Sequence, residues 1–348
     1  MSYNYDSSAC PRYKDKDKDK DKDKDKGKGK GKGKGIEITV GTVIDGYTIT
    51  DWIGHGGCAV VYECEKDGQK YAFKIFKEYY VRTTGGSPSK SLSDSCKSRV
   101  TREINVLKKV KDPAVCAYKD NGTFKDKDSD IQYHYIVMDY VEGESLIDYL
   151  EKNVLILTEK EKLEIFKKIV DGVDAIHKKK IIHRDIKPGN IIITDDGSVK
   201  IIDFGLAKII DQASITDAGT RIGTPLFMAP EQAMGSGNAE VDYRADYYAL
   251  GNVLFRLLAG EYPVINAKSV TETIRRVIED PIKNIKEYVP DIPPNIEALV
   301  NSLLAKDPKD RPRDVKQIHM YLEPRKKKDL YFSMFGSFMR TKEYKEWY

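Results

Sequence analysis

Apolar and polar positions alternate from Tyr47 to Phe76, interrupted by turn residues. That period of two predicts a small antiparallel sheet. The apolar run Ile131–Tyr140 predicts a further strand. Between them, Arg99–Val110 carries Val100, Ile104, Leu107 and Val110 at helical spacing, and Thr83–Ser98, rich in Ser and Gly, predicts a loop. Thr158 and Glu161 have capping-box spacing, and the helix that follows collects Leu163, Phe166, Val170, Val173 and Ile176 on one face. After Gly205 the pattern is mostly helical, with loops at Asp211–Gly223 and Met234–Glu240. A β-rich first part followed by an α-rich second part predicts an α+β fold of two lobes with a cleft between them. Folded sequence is expected to start near Thr42, and no repeat of 20–50 residues is present.

Composition narrows the class. The chain has 348 residues, 33% charged and 40% apolar, enough for a sizeable core. The net charge of +4 belongs to the N-terminus: residues 1–35 hold 12 Lys+Arg and 7 Asp+Glu, and the remainder 47 and 48. The body is near neutral, which argues against nucleic acid as the main partner. No apolar run has membrane-spanning length, and the N-terminus lacks an apolar signal core. Five cysteines at 10, 58, 64, 96 and 116 form no CxxC pair, which speaks for a reducing, cytoplasmic setting over a zinc or disulfide framework. Lys14–Gly35 consists of Lys-Asp and then Gly-Lys repeats. Such a segment buries no apolar surface and is expected to be a disordered, solvated tail; the alternative role is a weak electrostatic tether.

The chemistry is concentrated in two short runs. His183-Arg184-Asp185-Ile186-Lys187-Pro188-Gly189-Asn190 is followed thirteen residues on by Asp203-Phe204-Gly205. That order supplies a carboxylate for a hydroxyl nucleophile and two oxygen ligands for Mg²⁺. Upstream, Ile53-Gly54-His55-Gly56-Gly57-Cys58-Ala59-Val60-Val61 joins two predicted strands with glycines that let backbone amides approach phosphates. Together these runs resemble the eukaryotic-type (Hanks-type) protein kinases, and Gly223-Thr224-Pro225-Leu226-Phe227-Met228-Ala229-Pro230-Glu231-Gln232 looks most like their bacterial-type members.

The resemblance covers residues 47–322 and implies a kinase domain with an N-lobe of about 47–138 and a C-lobe of about 142–322. It implies an ATP site from Ile53, Gly54, Gly56, Val61, Ala72, Lys74 and Ile192, with Ala59 at the third glycine of the loop. Lys74 would bind the α- and β-phosphates and be held by Glu103. Met138 would be the gatekeeper, with the backbone of Asp139 and Val141 facing adenine. Asp185 would be the catalytic base and Lys187 would neutralise the transferring phosphoryl; that lysine marks the Ser/Thr branch. Asn190 and Asp203 would hold Mg²⁺ or Mn²⁺. Thr224 would contact Asp185 and Lys187, Glu231 would pair with Arg311, and Asp246 would tie down the catalytic loop. Arg184 and Lys208 would form a cationic pocket for phosphorylated Thr220, with Thr216 and Ser214 as secondary sites.

The expected activity is transfer of the ATP γ-phosphate to Ser/Thr of protein substrates. The alternatives are a silent kinase-fold scaffold and a small-molecule phosphotransferase. The tail 325–348 has Arg325-Lys326-Lys327-Lys328 and then Tyr331, Met334, Phe335, Phe338 and Met339 on one helical face. It would pack onto the domain, or meet a membrane surface or a partner groove.

Overall fold

The computed structural model describes residues 38–55, 59–76, 100–101, 103–125, 132–204, 225–234, 241–265, 267 and 269–323. Six strands form one antiparallel sheet: β1 (Val43–Ile44), β2 (Tyr47–His55), β3 (Ala59–Lys66), β4 (Gln69–Phe76), β5 (Tyr118–Lys125) and β6 (Gln132–Asp139), in the order β1-β2-β3-β4-β6-β5. β3 and β4 pair residue for residue from Lys66↔Gln69 to Ala59↔Phe76, around Asp67 and Gly68 with φ of 52° and 75°. Asp-Gly with both φ positive is the two-residue turn whose twist matches a hairpin. One face of the sheet buries Ile49, Tyr62, Cys64, Phe73, Ile75, Tyr135 and Val137, with Phe73 and Tyr135 stacked at 4.4 Å. The opposite face sends Ala59, Phe76, Ile136 and Met138 into the larger core, where Val100 and Leu107 of helix α1 (helical at 100–101 and 103–109) meet them. Packing begins earlier than Thr42: the Ile38 amide donates to the Tyr62 hydroxyl at 3.0 Å.

Strand β5 has no counterpart in the apolar pattern. Its sequence, Tyr118-Lys119-Asp120-Asn121-Gly122-Thr123-Phe124-Lys125, is polar because it is an edge strand. Backbone pairing to β6 and contact of Phe124 with the rings of Tyr133 and Tyr135 hold it. Gly122 is required there, since a Cβ would fall 2.5 Å from the Tyr135 hydroxyl.

The second part contains α2 (Leu146–Asn153), α3 (Glu159–Lys178), a small sheet of β7 (Glu144–Ser145), β8 (Ile191–Ile193) and β9 (Val199–Ile201), and then α4 (Pro230–Ala233), α5 (Arg244–Ala259), α6 (Val270–Glu279), α7 (Pro294–Leu303) and α8 (Val315–Leu322). The capping box forms: Thr158 N–H donates to Glu161 Oε2 at 2.8 Å, and Glu161 N–H to Thr158 Oγ1 at 3.3 Å. Of the predicted face of α3, Phe166, Val170, Val173 and Ile176 are fully buried and Leu163 is half-buried. α5 is buried nearly all round, from Ala245 to Leu258, as expected of a helix at the centre of a lobe. The two parts are strapped together where Ile201 N–H donates to Ala114 O at 2.7 Å and Cys116 N–H to Ile201 O at 3.0 Å.

Gly251 lets α5 pass against α7, and a Cβ there would stand 2.8 Å from Leu304 Cγ and 2.9 Å from Leu303 Cβ. Gly251→Ala is expected to destabilise the domain by about 1–3 kcal/mol through overpacking. In a thermal melt the midpoint falls by several degrees; an unchanged midpoint would refute this packing.

Candidate active site

Lys74 lies on β4 between two carboxylates. Its Nζ donates to Glu103 Oε1 at 2.6 Å and to Asp203 Oδ1 at 2.9 Å. Lys74 and Glu103 are almost wholly buried, and Asp203 is partly open. Burial by itself would push the Lys74 ammonium toward neutrality, but Asp203 and Glu103 outweigh it and hold its pKa well above the lysine range. Burial likewise favours protonated Asp203, and Lys74 reverses this and keeps the carboxyl below its ordinary value. Lys74 and Glu103 pair although 29 positions separate them in sequence.

Asp185 follows β-turn backbone that L residues rarely adopt: Arg184 has φ 64°, and Asp203 has φ 57°. Such conformations cost about 1–3 kcal/mol each and need surrounding structure to maintain them. For Arg184 that structure is Asp246 on α5, fully buried, which accepts from His183 N–H at 2.9 Å and Arg184 N–H at 2.8 Å. His177 Nε2 lies 2.7 Å from the same carboxylate. Sequence reasoning gave His177 no role. Its signal was there: a histidine one position off the buried face of α3, six residues before His183.

The Asp185 carboxylate is oriented by its neighbours. Asn190 Nδ2 donates to Asp185 Oδ2 at 3.0 Å and to Asp185 O at 2.8 Å, and Lys187 Nζ is 3.3 Å from Oδ2. Asp185 N–H meets His183 Nδ1 at 3.3 Å, and the His183 ring packs 5.0 Å from Phe204. Burial pushes the His183 pKa down, so the imidazole stays neutral. Asn190 Oδ1 is buried with no hydrogen-bond partner among the described residues. An orphan amide oxygen on Asn190, whose backbone carbonyl accepts from Ile202 N–H next to Asp203 at 2.9 Å, fits a hard cation such as Mg²⁺. Among the described residues no cluster of three or more His, Cys, Asp or Glu could hold a metal by itself.

At the junction of the lobes Met138 is buried at the end of β6. Asp139 N–H is already committed to Ala117 O at 2.9 Å, and its carbonyl receives the Cys116 thiol at 3.3 Å. Burial pushes that thiol up to about 12, which keeps it protonated and donating. Only the carbonyl of Asp139 retains a lone pair for a base. Its side chain is paired outward with Lys119 at 2.8 Å. Val141 is half-buried just beyond. Ile53, Ala72 and Ile192 are buried on β2, β4 and β8, Gly54 is buried next to the last residue of β2, and Val61 on β3 pairs with Lys74. Gly56, Lys208, Thr220 and Thr224 lie outside the described residues, as do the Lys-Asp tail and 325–348.

Below the site, Arg311 Nη1 and Nη2 donate to Glu231 Oε1 and Oε2 at 2.7 and 2.8 Å, a fully buried bidentate pair. Arg311 also donates to the carbonyls of Ala305, Arg244 and Lys306 and lies 5.1 Å over the Tyr248 ring. Removing one partner of such a pair costs about 3–5 kcal/mol. Gln232 Nε2 reaches Arg184 O at 3.3 Å and ties α4 to the Arg184–Asn190 loop.

These features can be set beside known proteins. The family model described as "Protein kinase domain" matches residues 47–321. "Serine/threonine-protein kinase PrkC" of Bacillus subtilis is 33% identical over 272 residues, covering 77% of this chain and 39% of that protein. "Probable serine/threonine-protein kinase PknB" of Lactococcus lactis is 32% identical over 285 residues, covering 81% of this chain and 42% of that protein. The chain thus spans about two-fifths of the length of these curated relatives. The solved structure "PpkA-294 apo form" is similar with a TM-score of 0.65 at 22% identity, over 82% of this chain and 99% of that one, a likeness of fold. With a buried Lys74–Glu103 pair, an ordered Asp185–Asn190 loop and a family match that runs from the first long strand into the last helix, this chain belongs to the protein kinase family.

Proposed function

We propose that this chain is an ATP- and Mg²⁺-dependent (or Mn²⁺-dependent) serine/threonine protein kinase. The observation that carries the reading is the Lys74–Glu103–Asp203 triad, assembled with Asp185 and Asn190 in hydrogen-bond contact. Lys74 would hold the α- and β-phosphates, kept charged and aimed by its two carboxylates. The cation would supply positive charge to neutralise the phosphates. Asn190 Oδ1 and Asp203 would be its protein ligands. Asp185 Oδ2 would accept the proton of the substrate Ser or Thr hydroxyl, while Lys187, on the same oxygen, would stabilise charge on the group in transit. The Ile53–Val61 turn, Met138, the Asp139 carbonyl, Val141 and Ile192 would enclose the base. The full set of Lys74, Asp185, Asn190 and Asp203 supports an enzyme over a silent scaffold. Arg184 and Lys208 would receive phosphate on Thr220. A cytoplasmic location is consistent with the reduced-cysteine pattern, and no helix among the described residues is long and apolar enough to cross a membrane.

The experiment is transfer of labelled γ-phosphate from ATP·Mg²⁺ to the protein itself and to a generic protein acceptor. Wild type is expected to label Ser or Thr, with Thr220 among the mapped sites, and Asp185→Asn to lose about 10²–10⁴-fold in rate. Equal labelling by the two would overturn the assignment of Asp185.

The triad also predicts pH behaviour. Asp203, with its pKa lowered, contributes above the ordinary carboxylate range and loses its contribution as pH falls through its folded pKa. Lys74, with its pKa raised, contributes below the ordinary lysine range and loses it only as pH rises past its folded pKa. Between those limits neither group titrates, so ATP affinity measured from about pH 7.5 to about 9.5 is expected to be flat. A titration step in that window that disappears in Lys74→Arg would contradict the charge state assigned to Lys74.

A further inference from the structure

The N-terminal repeat has a strict period of two. From Arg12 to Lys34 every even position is a cation; the odd positions run Tyr13, six aspartates from Asp15 to Asp25, and five glycines from Gly27 to Gly35. In an extended backbone successive side chains point to opposite sides. Tyr13 and the aspartates would then share one face and every cation the other, so Arg12–Asp25, with seven cations and six aspartates, would acquire an acidic edge led by an aromatic ring.

The folded domain carries a surface of the opposite character. A cleft of about 580 Å³ opens at the end of α1, with buried Leu107 and Val110 and half-buried Tyr118 in its lining and exposed Lys108, Lys111 and Pro113 at its edge. Lys108 Nζ lies 4.9 Å over the Tyr118 ring. Neither rim lysine has a carboxylate partner among the described residues. The cleft's Asp112 already accepts from Ala114 N–H at 2.9 Å and lies within electrostatic reach of Lys178, which opens the run Lys178-Lys179-Lys180. An apolar floor bordered by a row of cations calls for an aromatic anchor followed by carboxylates.

We propose that Tyr13–Asp19 of the same chain occupies this cleft in extended form, with the Tyr13 ring on the apolar floor and Asp15 and Asp17 against Lys111 and Lys108. Chain length permits it. Residues 20–37 separate this segment from Ile38, which is fixed to Tyr62 on β3, and 18 residues of polar, glycine-containing chain span about 23 Å root-mean-square. Tyr118 on β5 is three strand spacings from β3 in the sheet order, about 14 Å; Ile38 packs on the face opposite α1, so the tether also rounds the sheet edge, within the roughly 60 Å that 18 extended residues reach. A tether of that length holds its end at an effective concentration on the order of millimolar, so a weak contact suffices. The cleft is built from the last turn of the helix that carries Glu103 and from the segment whose Ala117 carbonyl holds the Asp139 amide. Occupancy steadies both, and so favours the Lys74–Glu103 pair and the adenine-facing strand exit.

The test uses the full chain with the photo-crosslinker p-benzoylphenylalanine at position 13. Crosslinks within one molecule to residues 107–118 are expected. They should be lost in Lys108→Glu/Lys111→Glu and restored when Asp15→Lys/Asp17→Lys is added. Crosslinks that map elsewhere, that join isotopically distinct copies, or that ignore the charge reversals overturn the proposal. A second readout is KM for ATP. Deleting residues 1–35 is expected to raise it several-fold, Lys108→Glu/Lys111→Glu to do the same in the full chain, and that pair to have no effect in the deleted chain. An equal effect in both chains would assign the lysines to the domain alone and sink the docking.

Discussion

A lysine ammonium that is almost wholly buried must have its charge met, and the structure is organised around how Lys74 meets that need. Taking such an ion out of water costs several kcal/mol, and only close, well-directed carboxylates recover it. Glu103 comes from a helix and Asp203 from the segment after β9, so one charge on β4 draws together three parts of the chain that are distant in sequence. Asp203 belongs to the second lobe and Lys74 to the first. The pairing is therefore also an electrostatic bond between the two lobes.

The second lobe solves a different problem, which is to hold a strained loop still. Asp246 takes two backbone N–H groups at the positive-φ turn and is itself held by His177, so the position of Asp185 is inherited from the buried helix α5. Asn190 and Lys187 then fix the direction of its carboxylate. Further down, the Glu231–Arg311 pair anchors α4 to the segment before α8, and Gln232 ties α4 to Arg184 of the same loop. Among the described residues several buried polar atoms have no partner, His177 Nδ1, His183 Nε2 and Asn190 Oδ1 among them, and the last is the oxygen that suits a cation.

Much of this was legible in the chain. The runs from His183 to Asn190 and Asp203 to Gly205 identify the catalytic loop because their residue types have few other reasons to occur in that order. The β2–β4 meander is plain from its alternation and its Asp-Gly turn. What escaped notice was what pattern does not encode. β5 reads as polar coil because an edge strand buries little, and only its pairing with β6 makes it a strand. α2, eight residues long with a Ser145 cap, is too short for periodicity to declare itself. His177 and Cys116 act through contacts made 69 and 23 residues away, so neither has a local signature. The Asp139 N–H bonds Ala117 O, a detail fixed by tertiary pairing alone.

The measurement that bears most directly on the triad is single-turnover phosphate transfer by Glu103→Gln, recorded with the dissociation constant for ATP. The side chain keeps its size and loses its charge, so the fold should persist. The account predicts transfer slowed at least about tenfold, equivalent to about 1.4 kcal/mol of transition-state stabilisation, with ATP binding weakened less than the rate. Transfer at the wild-type rate would mean that Lys74 needs no buried partner and that the triad is not what makes the site competent.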